Sequence, residues 1–187
     1  PDSWETPPSS FSWQSIVVDT GYNCYPSTVA YVNHYWEQYP GQEAYLITNK
    51  IRLGSGSFPA ENLLTYDYAY SGYAAGYDDG FRIDISIDCG ITWDSLYGAY
   101  GTDLQTVPYV GSDWYPTCGS WKKDTLNLSN FGLNGETIMI RFAAINDYGN
   151  RFFMDNVKVN GTNILLIPSV SSENKKLIRI VDVLGRV

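Results

Sequence analysis

The chain has 187 residues, of which 17% are charged and 16% aromatic, with 16 tyrosines and a formal net charge of −8. This length suits one domain of roughly 150 residues with a tail, and so aromatic a composition excludes a disordered chain. Acidity without a basic patch argues against a nucleic-acid partner, because the phosphates would be repelled; it suits calcium and neutral glycans, and also serves solubility.

Helical periodicity is almost absent. Short runs of alternating apolar residues between Gly, Pro, Asn and Asp clusters predict nine strands. In chain order these are Trp13–Val18, Val29–Asn33, Ala44–Leu53, Leu63–Tyr70, Phe81–Ile87, Thr92–Tyr97, Trp121–Leu128, Thr137–Ala144 and Arg151–Asn160. The pattern is that of an all-β sandwich or barrel. The fifth run is the clearest: Phe81, Ile83, Ile85 and Ile87 share one face, and Arg82, Asp84, Ser86 and Asp88 share the other, as a solvated face would. Ile138, Ile140 and Phe142 mark the inward face of the eighth. Two Gly- and Tyr-rich stretches, 70–80 and 98–120, are long for loops inside a compact domain, and loops of that kind are functional or heavily packed.

The last fifteen residues carry four basic side chains against two acids, unlike the acidic chain before them, so the tail reads as part of another unit. Pro1 and Val187 read as edges of a longer protein, and no apolar run approaches membrane-spanning length.

Catalysis has little support. The single His34 lies in VNHYW with no nucleophile motif nearby, and reads as structural or solvent-exposed. Hard cations take clustered oxygen ligands, and Glu5, Asp78, Asp79 and the pair Asp155–Asn156 are the candidates. No DxDxDG loop occurs, so such a site would be assembled from distant segments. Tyr and Trp faces stack on the apolar face of a sugar ring. Tyr35, Trp36 and Tyr39 in one loop, and Tyr109, Trp114 and Tyr115 in another, are candidate platforms; the alternative is that they pack over the ends of the sandwich.

Three cysteines permit at most one internal bridge. Cys89 and Cys118 each precede a Gly in a turn before a Trp-led strand, which makes them the better-matched pair and Cys24 the odd one; a Cys24 bridge to Cys118 stays open. A bridge implies an oxidising compartment.

The series WETPPSSFSW, AYVNHY, YDDGFRIDISIDCGITW, SWKKDTLNLSNF and IMIRFAAINDYGNRFFMDNVKVNG resembles the MAM-like jelly-roll module, also called a choice-of-anchor J domain, of secreted bacterial proteins. The resemblance spans about residues 4–160, and its sharpest elements are SIDCGITW and YGNRFFMDNV. It implies a two-sheet antiparallel jelly-roll sandwich with no catalytic residues. It also implies a structural calcium ion held near the chain ends by Glu5 and Asp155, with Asp79 and Asn33 as additional ligands. The tail PSVSSENKKLIRIVDVLGR is similar to the start of a type IX secretion sorting domain. Residues 1–162 are accordingly read as the jelly-roll module, and 163–187 as a linker with the truncated start of that sorting domain.

Together these readings describe a non-catalytic adhesion or glycan-targeting module. Its partners would be a glycan and, through the tail, the type IX secretion machinery, at the outer-membrane surface of a Gram-negative bacterium or in its medium. The alternative is a structural spacer that joins an upstream secreted enzyme, such as a metallopeptidase, to its sorting domain.

Overall fold

The computed structural model describes residues 11–37, 39–55, 62–160, 162–163 and 166–170, the last two segments by their backbone alone. Glu5 and residues 171–187 therefore lie outside the described residues.

Among the described residues, twelve strands form two sheets. In chain order they are β1 (Gln14–Val18), β2 (Ser27–Asn33), β3 (Glu43–Thr48), β4 (Ile51–Arg52), β5 (Leu63–Tyr70), β6 (Gly80–Ser86), β7 (Asp94–Tyr100), β8 (Lys122–Asn127), β9 (Thr137–Ile145), β10 (Arg151–Val159), β11 (Thr162–Asn163) and β12 (Leu166–Val170). One sheet runs β1-β2-β10-β5-β8 with β11 added to β10; the other runs β12-β3-β9-β6-β7 with β4 added to β9. Every strand pairing within the sheets is antiparallel, and no α-helix occurs among the described residues. This is a two-sheet jelly-roll sandwich. β12 pairs with β3 from Leu166↔Thr48 to Val170↔Ala44, so a stretch expected to be linker forms the edge of the second sheet.

The period-2 pattern builds the core directly. Leu64, Tyr66, Tyr68 and Tyr70 from β5 and Phe152 and Met154 from β10 face Phe81, Ile83 and Ile85 from β6 and Ile138, Ile140 and Phe142 from β9. Phe81 stacks on Phe152 across the two sheets at 4.7 Å. Each such side chain contributes about 1.5–3 kcal/mol on burial. Two expectations for the β6 stretch fail. Ile87 is 60% exposed because β6 ends at Ser86. Asp84, expected to be solvated, is 1% exposed, held by Arg82 at 2.8 Å and by Arg141 at 2.7 Å. Two guanidiniums make that burial tolerable.

A second apolar cluster lies on the outer face of the first sheet, where Val18, Val29, Ala69 and Phe153 meet Trp121 and Trp114. The segment between β7 and β8 lies over this face, which is why Asp67 and Ala69 on the outer side of β5 are as buried as their inward neighbours. The cover is fastened at several points. Trp121 donates its indole N–H to Thr20 O at 2.8 Å, Thr20 donates its hydroxyl to Pro116 O at 2.9 Å, and Arg151 grips Asp113 at 2.6 and 2.8 Å.

The disulfide corrects the sequence reading: Cys24 bonds Cys118, with Cα atoms 4.6 Å apart, and Cys89 is an exposed free thiol. Matching turn motifs misled here. Cys89 sits at the tip of the β6–β7 hairpin in the second sheet, whereas the cover segment carries Cys118 to the β1–β2 turn beside the first. A disulfide needs Cα atoms within about 7 Å, and only Cys24 is delivered there.

Candidate functional site

Three of the connections that join strands of one sheet to strands of the other meet at one end: residues 34–42 between β2 and β3, 71–79 between β5 and β6, and 146–150 between β9 and β10. Asp79 ties them together. Its carboxylate is fully buried and accepts hydrogen bonds from the backbone N–H of Asp147 at 2.7 Å, Gly149 at 3.0 Å and Asn150 at 3.0 Å, and from the hydroxyl of Tyr70 at 3.0 Å. The imidazole Nδ1 of His34 lies 3.5 Å from the same carboxylate. Charge-assisted bonds of this kind are about twice as strong as neutral ones, and here they order loops that carry no regular structure of their own. His34 is completely buried, with its ring edge-on to Phe11 at 5.1 Å, so it is structural and not a surface acid–base group. Burial pushes its pKa below the ordinary value, against the opposing pull of Asp79. The Tyr70 phenol is driven up by burial and by Asp79, so it stays a donor.

Further bonds complete the junction. Asn146 donates its amide to Tyr39 O at 2.8 Å and its N–H to Gln42 O at 2.9 Å. Asn150 donates to Val110 O and Ser112 O, and so latches the long cover segment to the same end.

On this base stands an open cavity of about 470 Å³ lined by Tyr35, Trp36, Tyr73, Tyr77 and Tyr148. Every one of the three loops contributes. Tyr35 meets Trp36 edge-on at 4.8 Å and Tyr73 at 5.9 Å, and Tyr73 meets Tyr77 at 5.6 Å. Trp36 is 67% exposed, an unusual state for so large an apolar group in a folded domain. Tyr148 takes a left-handed backbone conformation, φ 60°, between the N–H groups that bond Asp79. A volume in the range of small-ligand sites, walled by rings with phenol edges, can stack a sugar face and hydrogen-bond its hydroxyls.

Of the aromatic residues singled out in the sequence, the structure brings Tyr35 and Trp36 into this cavity. Tyr73, Tyr77 and Tyr148 escaped notice, although the Tyr-rich 70–80 loop signalled two of them. Tyr39 is 65% exposed nearby but does not line the cavity. Tyr109 lies beside Gly72, Trp114 packs edge-on against Phe153 at 5.9 Å, and Tyr115 is covered by the Arg151 guanidinium at 4.4 Å. Trp114 is thus packed into the cover, whereas Tyr109 and Tyr115 keep 40% and 45% of their surface exposed away from the aromatic cavity.

Of the four expected cation ligands, Glu5 lies outside the described residues, and the other three, Asn33, Asp79 and Asp155, do not converge. Asp155 accepts from the Ser27 hydroxyl at 2.8 Å, whereas Asn33 stands at the other end of the same strand, opposite Arg151. Six residues of extended chain separate those ends by about 20 Å. Asp79 belongs to the Asn33 end, and its lone pairs are already taken by four donors. Among the described residues no three His, Cys, Asp or Glu side chains gather closely enough to hold a metal ion. Asp155 alone keeps a suitable setting: with Asn23, Ser27 and Asn156 it lines a small cavity of about 170 Å³ rich in oxygen donors. That donor chemistry fits calcium.

No family model matches the chain, and no curated protein matches it. Among solved structures it is similar to the K2 cleaved adhesin domain of Lys-gingipain, with 13% identity and a TM-score of 0.50 over 80% of this chain and 82% of that one. It is also similar to the K1 cleaved adhesin domain of Lys-gingipain from Porphyromonas gingivalis W83, at 18% identity and a TM-score of 0.49 over 81% and 90%. A third similarity is to TmCBM61 in complex with β-1,4-galactotriose, at 12% identity and a TM-score of 0.40 over 79% and 86%. At these identities the likeness to the K2 domain speaks for the fold alone. No helix among the described residues is long and apolar enough to cross a membrane.

Proposed function

We propose that this chain is a non-catalytic adhesion module that binds glycan at the aromatic cavity. The observation that carries this reading is the convergence of five aromatic side chains from three loops on one open cavity, with Trp36 two-thirds exposed. Buried polar groups beneath hold those loops in place without ligand, which lowers the ordering cost of binding. The only histidine is sealed under the loops and reaches no solvent, so it supplies no acid–base chemistry there. A glycan array followed by calorimetry tests the proposal. Trp36→Ala should weaken binding of the best ligand by at least about tenfold, with the melting temperature unchanged. Absence of any saccharide ligand would instead favour the spacer role.

The module is further proposed to hold one structural calcium ion at Asp155, with Glu5 as the second carboxylate. Asn23, Ser27 and Asn156 beside Asp155 offer the additional oxygens. We also propose that it belongs to a cargo protein exported by the type IX route to the cell surface or medium, a reading supported by KKLIRIVDVLGR in the tail. Removing residues 177–187 from the full cargo protein should strand it in the periplasm; undiminished release would remove this part of the reading.

A further inference from the structure

We propose that the aromatic cavity selects glycans bearing a free, protonated amine and rejects acidic ones. This rests on the glycan reading above and names the ligand class.

The charge of the three loops is one-sided. Residues 34–42, 71–79 and 146–150 contain Glu37, Asp78, Asp79 and Asp147, and neither lysine nor arginine. Two of these acids flank the cavity walls directly: Asp78 follows Tyr77, and Asp147 precedes Tyr148. They are joined, because Asp147 Oδ2 accepts the backbone N–H of Asp78 at 3.0 Å. The Asp147 carboxylate thus ties together two of the loops that wall the cavity, while the Asp78 carboxylate lies against Gly101.

Arginines that might serve a carboxylated or sulfated sugar are committed elsewhere. Arg82 is paired with Glu43 and Asp84, Arg141 with Asp84, and Arg151 with Asp113. A uronic acid entering the cavity would lose water and find no lysine or arginine on the three loops to pair with, with Asp147 adjoining the wall residue Tyr148 in sequence. An ammonium would meet the opposite situation. Ring faces carry negative quadrupole potential and attract cations lying within about 6 Å. The rings here are set nearly at right angles, 88° for Tyr35 against Trp36 and 79° for Tyr73 against Tyr77, so they address one volume from several sides. The net charge of −8 adds longer-range attraction for such a ligand.

Calorimetry on the full chain near pH 6 distinguishes the possibilities with three tetrasaccharides: a glucosamine oligomer, its N-acetylated counterpart and a galacturonic acid oligomer. The glucosamine oligomer should bind about tenfold tighter than the N-acetylated one, and the galacturonic acid oligomer should show no binding. Asp147→Asn, which keeps an acceptor for the Asp78 N–H, should reduce that preference about threefold, and Trp36→Ala should abolish binding. Equal affinity for the free and acetylated amines, with binding still lost in Trp36→Ala, overturns the amine preference and leaves the glycan reading standing. Binding of the glucosamine oligomer that survives Trp36→Ala but vanishes at high salt overturns the proposal as diffuse charge attraction. No binding by any of the three, together with none on a broad array, overturns the glycan reading itself.

Discussion

Gly149 lies against the carboxylate of Asp79 so closely that a Cβ on this residue would sit well inside contact distance of Oδ2, while its own N–H donates to Oδ1 at 3.0 Å. The carboxylate is fully buried and cannot step aside. Gly149→Ala should therefore cost about 1–3 kcal/mol through overpacking, read as a lower denaturant midpoint, and should weaken ligand binding through Tyr148. Asp79→Asn should cost a similar amount, because an amide nitrogen facing N–H donors leaves at least one of them unpaired. Wild-type stability in both variants would show that the loops are held by other means.

The Cys24–Cys118 bridge spans 94 residues of sequence. In the chain-entropy model a loop of that size gains about 4–5 kcal/mol from its closure. Reduction should lower the denaturant midpoint accordingly. Alkylation of the native protein should label one thiol, Cys89, and alkylation after unfolding and reduction should label all three. Labelling of Cys24 without reductant would contradict the bridge.

Burial lifts the Tyr68 phenol from its ordinary value near 10 to about 12, and raises Tyr66 and Tyr70 further. The folded state holds these protons more tightly than the unfolded chain does. Their contribution to stability is complete below pH 10 and is lost as pH rises through the folded values. An ultraviolet titration should show Tyr66, Tyr68 and Tyr70 ionising only well above pH 10, as the sandwich opens. One single step for all phenols, without loss of the β-sheet signal, would contradict this.

Chelator should lower the melting temperature, and added calcium should restore it. Saturation at about 100 times Kd corresponds to roughly 2.7 kcal/mol of stabilisation. Asp155→Ala should abolish the response, whereas Asn33→Ala, at the far end of β2, should not. A parent protein indifferent to chelator would dispose of the ion.

The sandwich was legible because its core obeys period 2: Ile138, Ile140 and Phe142 were placed inward from alternation alone, and all three are fully buried. Strand β5 fell between the predicted residues, Leu63 and Tyr70. What sequence pattern does not carry is which segments cross which face. Asp84 looked solvated because alternation cannot show that Arg82 and Arg141 would fold over it. Trp114 looked like part of a ligand platform because nothing local reveals that the 101–121 segment lies on the outer face of the first sheet, where Trp114 is packed against Phe153. Two of the five walls of the aromatic cavity were visible as Tyr35–Trp36. The rest depended on three crossovers meeting at one end, and that is set by long-range strand order.

That meeting has a mechanical consequence. All three pinned loops are crossovers, so Asp79 rivets one sheet to the other at the end where the aromatic cavity opens. A tether pulling on a captured polymer would load this seam first. Prying it apart means breaking several bonds to a single buried carboxylate together, instead of unzipping them in turn. Under the proposed adhesive role, such a surface would yield by letting go of its ligand before it came undone.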